Sequence, residues 1–385
     1  MADSIINRQI ADCRLIVTAG CGGVGKTTIA AALGITAARA GRRVAIITID
    51  PARRLAQALG LNDGLTHKPQ PVPLNDTYTG QVSAMMLDTK STIDQMVTRY
   101  SVDEASANRL LNNRYYGFFS TSLAGTLEYM AVEQVRILMK DCDYDLVILD
   151  TPPAAHALEF LDAPERLLSG LNKLPLKTIG REGREGISSR LARQGRHLVL
   201  RGLDKLTGGP FINDLAEFLG EFRNILGALE EAGRSVRELL RAETTRFFLI
   251  TSPQPARLDE AVAFLSQLQE RSLPLGDIII NRVQHRIPHH TKQVFTAESL
   301  TDNLERMTTA SLTEAQSEKM LRRLALVLHE HNHLAKRDAK MCATIAARTG
   351  VTPLIVPRVL NHLADPNELY DLASNIVRFE IGTSS

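Results

Sequence analysis

The chain has 385 residues, 44% apolar and 23% charged, which fits a folded globular protein and excludes disorder as a description of the whole. Forty-five basic side chains against 43 acidic ones leave a net charge of +2, so no global field points to nucleic acid, and 5% aromatics with no Trp leave little material for base-stacking platforms. At roughly 150 residues per domain, the length admits two or three units, or one large α/β domain with a sizeable subdomain.

The first dozen residues are mixed and polar and do not read as a secretory leader. No apolar run approaches the ~18 residues of a bilayer-spanning helix. The four cysteines, Cys13, Cys21, Cys142 and Cys342, are scattered and form no C-x-x-C, so neither a disulfide framework nor a zinc knuckle is expected. A cytoplasmic, reducing location is the natural reading. Cys13 reads as part of a strand and Cys342 as part of a helix, both as packing residues.

In chain order, residues 15–19 form a short apolar run, read as a buried strand. A glycine-rich turn and an alanine-rich helix follow, and Gly41 stops the helix. Further buried strands are expected at 44–50, 82–87, 145–150, 247–251, 277–281 and 353–356, with helical stretches between them. Alternating strands and helices imply a doubly wound, mostly parallel α/β sheet covered on both faces. The chain is read as one P-loop domain over 1–385, with helical insertions at about 90–139 and 161–242. The second insertion carries ten basic residues against three acids between Arg166 and Lys205, and leucines that fit an amphipathic helix on a client or a membrane surface. Residues 308–349 read as one or two long helices.

The turn Gly20-Cys21-Gly22-Gly23-Val24-Gly25-Lys26-Thr27-Thr28 matches G-x-x-x-x-G-K-[ST] between a strand and a helix. Its glycines let successive N–H groups turn inward around phosphates at a helix N-terminus. Lys26 would reach the β- and γ-phosphates, and Thr27 would place its hydroxyl on Mg²⁺. The same residues satisfy G-x-G-x-x-G, and Asp50 ends the next strand, so a dinucleotide-binding dehydrogenase competes. Lys26-Thr27 decides against it, because a pyrophosphate bridge has no γ-phosphate or metal to serve. Asp150, ending the apolar strand 145–150, has the form of the acid that holds the metal or its water.

With these motifs on the page, the chain resembles the deviant-Walker P-loop ATPases. More closely, it resembles the family of the arsenite-pump ATPase and the ATPase that targets tail-anchored membrane proteins, as a bacterial member. The resemblance rests on Gly20 to Thr28, on Ile49-Asp50-Pro51-Ala52-Arg53, on Asp150-Thr151-Pro152-Pro153-Ala154-Ala155-His156, and on Ile279-Ile280-Asn281. It implies a Mg-dependent ATPase that dimerises and moves a helical subdomain with hydrolysis. Gly22, Gly23, Val24, Gly25, Lys26, Thr27 and Thr28 would hold ATP, and Thr27 and Asp150 the Mg²⁺. Asp50 would orient or deprotonate the attacking water. Asn281 would read the adenine edge, a strand-end cap being its plainer role, with Pro357 near the base.

The family's loop usually carries a lysine that crosses the dimer, and here that position is Cys21. No cysteine cluster suits soft arsenite, so arsenite pumping is not expected. A homodimer, or a heterodimer with a related ATPase that keeps the lysine, is expected, the latter making this chain a low-turnover ATP-binding subunit. Arg53 and Arg54 are the arginines of this chain that would otherwise replace it. A partitioning ATPase acting on DNA or membranes is the alternative that the large insertions oppose. Cys21, ringed by N–H groups, is expected to be a reactive thiolate. His329, His331 and His333 form H-x-H-x-H, read as a solvated helix end rather than a metal site.

Overall fold

The computed structural model describes residues 5–50, 53–117, 127–151, 211–286, 314–359 and 363–380. The basic stretch 166–205 and residues 152–156 lie outside these, as do Pro51 and Ala52.

The described strands are β1 (Leu15–Gly20), β2 (Arg43–Thr48), β3 (Gln70–Pro71), β4 (Gln81–Met86), β5 (Leu146–Asp150), β6 (Thr245–Thr251), β7 (Leu275–Val283), β8 (Leu354–Pro357) and β9 (Val377–Arg378). They form one sheet in the order β3-β4-β2-β5-β1-β6-β7-β8-β9. The seven central strands, β4 to β8 in that order, are parallel and are the seven expected from their apolar runs. The outer pairings, β3 with β4 and β8 with β9, are antiparallel. Two-residue edge strands have no periodicity to read, and Pro71 suits only an edge.

The helices are α1 (Ile5–Ile10), α2 (Lys26–Arg39), α3 (Arg54–Ala58), α4 (Thr89–Tyr100), α5 (Glu104–Leu111), α6 (Leu127–Asp141), α7 (Phe211–Arg241), α8 (Pro255–Glu270), α9 (Glu314–Thr349) and α10 (Pro366–Ser374). Strand side chains alternate between two cores, as the pleat requires. Ile16, Val44, Ile46, Ile148, Ile250 and Val356 pack with α1, α2, α3 and α10. Val17, Ala45, Ile47, Leu149, Leu249 and Ile280 pack with α4 to α9. Helix α2 is buried nearly all round, which explains its alanines: α10 covers its outer side and a Cβ at Gly34 would press into Ile46.

Strands β6 (Thr245–Thr251) and β7 (Leu275–Val283) are longer than their apolar runs, and two further boundaries differ from the sequence reading. Strand β2 stops at Thr48, leaving Asp50 beyond the ladder, and Cys13 lies in the turn before β1 rather than in a strand. Helix α9 is a single helix of 36 residues, about 54 Å at 1.5 Å per residue. Its later part enters the core through Cys342 and Ile345, while Met320, Leu326 and Val327 near its start are exposed.

Candidate nucleotide-binding site

Parallel strands deliver their C-terminal ends to one edge of a sheet, where ligands bind. Here that edge gathers Gly20 from β1, Asp50 beyond β2, Asp150 from β5, Ser252 beyond β6, Asn281 from β7 and Pro357 from β8. The loop between β1 and α2 needs its glycines for separate reasons. Gly20 (φ 148°) runs against β6, where a Cβ would overlap the Ile250 carbonyl. Gly25 (φ 95°) is the left-handed residue before α2, and a Cβ there would strike the Asn281 amide. No side chain caps α2, so its first N–H groups are left for an anion.

Lys26 is the first residue of α2 and is buried. Its Nζ donates to the Gly20 carbonyl at 2.9 Å and the Cys21 carbonyl at 3.0 Å. Burial lowers its pKa, opposed chiefly by the Asp150 charge. The ammonium therefore rests under the start of the loop, which marks that end as the one its charge serves.

Asp150 is 1% exposed. Its Oδ2 accepts from Thr27 Oγ1 at 2.6 Å and from Thr48 Oγ1 at 3.1 Å, and its Oδ1 from Thr18 Oγ1 at 3.4 Å. Burial raises its pKa, against the three hydroxyls and Lys26. Asp50 donates its backbone N–H to the same Thr48 hydroxyl at 3.2 Å, and its Oδ2 pairs with Arg54 at 2.9 Å. Thr48 thus links the two acids. A hydroxyl and a carboxylate in contact are hard oxygen donors of the kind Mg²⁺ takes alongside phosphate oxygens, so the residues fit the metal.

Beside Gly22, Gly23 and Val24 opens a cavity of about 620 Å³. It runs past the end of β6 to Arg282 at the end of β7 and to Arg358 and Val359 beyond β8, with Arg257, Arg337 and Asp338 also in its wall. Asn281, next to Arg282, holds the loop: its Nδ2 donates to the Val24 carbonyl at 2.8 Å, and its Oδ1 accepts the Arg282 N–H at 2.8 Å. A bulge in β7 and a left-handed backbone at Arg282 (φ 63°) make this placement. In this structure Asn281 ties β7 to the loop, closer to its plainer reading than to a free base-reading edge. Pro357 ends β8, opposite Val283.

Cys21 corrects an expectation. It is 4% exposed, and burial together with the Glu260 carboxylate pushes its thiol up to about 11. Arg54 pairs with Asp50, and Arg53 takes a left-handed conformation (φ 49°) before α3. His331 lies between the Gln284 amide and the His285 carbonyl, each at 2.7 Å, so it packs α9 on β7. No cluster of three or more His, Cys, Asp or Glu side chains that could hold a metal ion occurs among the described residues. The residues that sequence reading missed are Thr18 and Thr48, which hold Asp150, and Arg257. Each threonine stands two residues before a singled-out residue, Gly20 or Asp50, a spacing that could have found them.

A phosphate loop closing on a lysine, two acids on neighbouring strands and a parallel sheet define a P-loop nucleoside triphosphatase. The anion-transporting ATPase family model matches residues 13–332, and the chain belongs to that family and is an ATPase. Similar curated proteins include the ATPase get3 of Aspergillus terreus, 27% identical over 282 residues, covering 73% of this chain and 75% of that one. The ATPase get3 of Schizosaccharomyces pombe is 26% identical over 275 residues, covering 70% and 73%. The family read from the motifs is thus the family found. No described helix is long and apolar enough to cross a membrane.

Proposed function

We propose that the chain is a Mg-dependent ATPase that works as a cytoplasmic dimer, in which nucleotide state moves a helical part that carries a client or partner. The observation that supports it most is the 2.6 Å contact of Thr27 with Asp150, with Lys26 held beneath the loop. Gly22, Gly23, Val24, Gly25 and Thr28 would present backbone N–H groups to the phosphates. Lys26 would exchange its two carbonyl partners for β- and γ-phosphate oxygens. Thr27 and Asp150, already in contact, would hold the metal. When bound, Mg²⁺ would supply positive charge to the phosphates. Asp50 would hold the attacking water and take its proton as the water oxygen bonds the γ-phosphorus and the bridge to ADP breaks. The adenosine half would lie in the 620 Å³ cavity toward Asn281 and Pro357.

The client reading draws support from the apolar side chains exposed on α9. A second reading, a low-turnover subunit paired with a lysine-bearing relative, is favoured by Cys21, which offers no cation. Calorimetric titration with Mg-ATP tests the nucleotide site. The chain is expected to bind, and Lys26→Ala to lose at least about 100-fold in affinity, the scale of a desolvated charge on phosphate. Equal affinity in both proteins would sink the assignment of the loop.

A further inference from the structure

Stabilising a departing γ-phosphoryl group takes positive charge beyond the loop lysine. Two basic groups near the described site are already committed: Lys26 to two loop carbonyls and Arg54 to Asp50. A third stands at the loop itself. Arg257, in the first turn of α8, places Nη2 3.5 Å from the Gly22 carbonyl, and its charge lies close enough to Cys21 to oppose the rise of that thiol's pKa. Its other anchor is Glu260, one turn on, with both carboxylate oxygens at 3.3 Å from Nη1. These are long contacts, which a stronger anion would displace.

The position is electrostatically costly. A cation in the first turn of a helix opposes the macrodipole, and α8 has no acid in that turn and no side-chain cap. Packing does not demand it either, since Arg257 is partly exposed on the cavity wall. The buried ammonium of Lys26 lies under Gly20 and Cys21, so the β/γ end of a bound triphosphate falls beside Gly22, where Arg257 waits.

Resting on the proposed function, we infer that Arg257 is the second cation of the phosphate site. It leaves Glu260 and the Gly22 carbonyl to neutralise the γ-phosphoryl group of ATP bound in its own chain, and Glu260 parks it when that group is gone. Cys21, a short side chain near Arg257, leaves room for it where a longer basic side chain would compete.

The test measures affinity for Mg-ATPγS and Mg-ADP by calorimetry, together with ATP turnover, in the wild type, Arg257→Ala, Arg257→Lys, and Arg257→Ala combined with Cys21→Lys. Arg257→Ala should weaken ATPγS about tenfold, leave ADP within about twofold, and lower turnover about 1000-fold, the lower end of what such arginines contribute. Arg257→Lys should retain the preference for the triphosphate in part. Cys21→Lys, growing an ammonium into the vacated space, should recover at least about tenfold of the lost turnover. If Arg257→Ala fails to fold by circular dichroism, Arg257→Gln, which keeps a donor for the Gly22 carbonyl, carries the same test. Unchanged ATPγS affinity and turnover, or equal loss of ATPγS and ADP, would overturn the inference alone. A wild type that binds neither nucleotide would overturn the reading of the loop as well.

Discussion

Asp150 is a carboxylate kept out of water by the strand that carries it and compensated by three threonine hydroxyls. Its pKa in the folded chain is raised, so its contribution to stability is fully present below the unfolded carboxylate range and is lost as pH rises through the folded value. At pH 7 the buried carboxylate therefore carries a cost. Asp150→Asn should raise the melting temperature of the nucleotide-free protein by a few degrees at neutral pH, and the gain should vanish by pH 3–4. No gain at pH 7 would mean the hydroxyls offset the burial in full. Cys21 gives a second prediction at this scale. With its thiol pushed up to about 11, it should resist iodoacetamide at pH 8, while the exposed Cys142 is labelled first. Mass spectrometry of partly labelled protein decides the order. The glycines, Lys26, Thr27 and both acids were legible as residues because phosphate chemistry fixes their spacing. The protonation behaviour of Cys21 was not, because it depends on burial and then on Glu260 and Arg257, which lie far along the chain and meet the loop only in the fold.

At the scale of elements, the end of β7 sets the loop. Its bulge turns Asn281 onto the Val24 carbonyl and leaves Gly25 no room for a side chain. Asn281→Ala would strand that carbonyl and the Arg282 N–H. It should cost about 1–3 kcal/mol in urea unfolding and weaken ATP and ADP alike, the signature of a loosened cradle. A loss confined to adenine nucleotides, with inosine and guanosine analogues unaffected, would instead show that Asn281 reads the base. The parallel strands were legible because each is a compact apolar run. The bulge was not, since one residue in a left-handed conformation leaves no mark in the hydrophobic pattern. The antiparallel edges β3 and β9 were missed for a related reason, each being two residues long and held by its neighbour.

At the scale of the molecule, the sheet order brings β1 between β5 and β6. The acids Asp50 and Asp150 therefore fall on one side of the loop, and the arginine-walled cavity on the other. The first side suits the metal and the attacking water; the second suits the nucleoside, with Arg257 at the point where the cavity meets the loop at Gly22. This division follows from topology, and the order of motifs along the chain could not supply it. The central claim is that the Asp50 side performs hydrolysis on ATP held by the loop. Single-turnover hydrolysis of Mg-ATP by the wild type and by Asp50→Asn, with bound nucleotide measured in the same samples, tests it most directly. The account predicts that Asp50→Asn keeps ATP bound and slows its conversion to ADP at least about 100-fold, the contribution of a positioned general base. Hydrolysis at the wild-type rate with ATP still bound would contradict it.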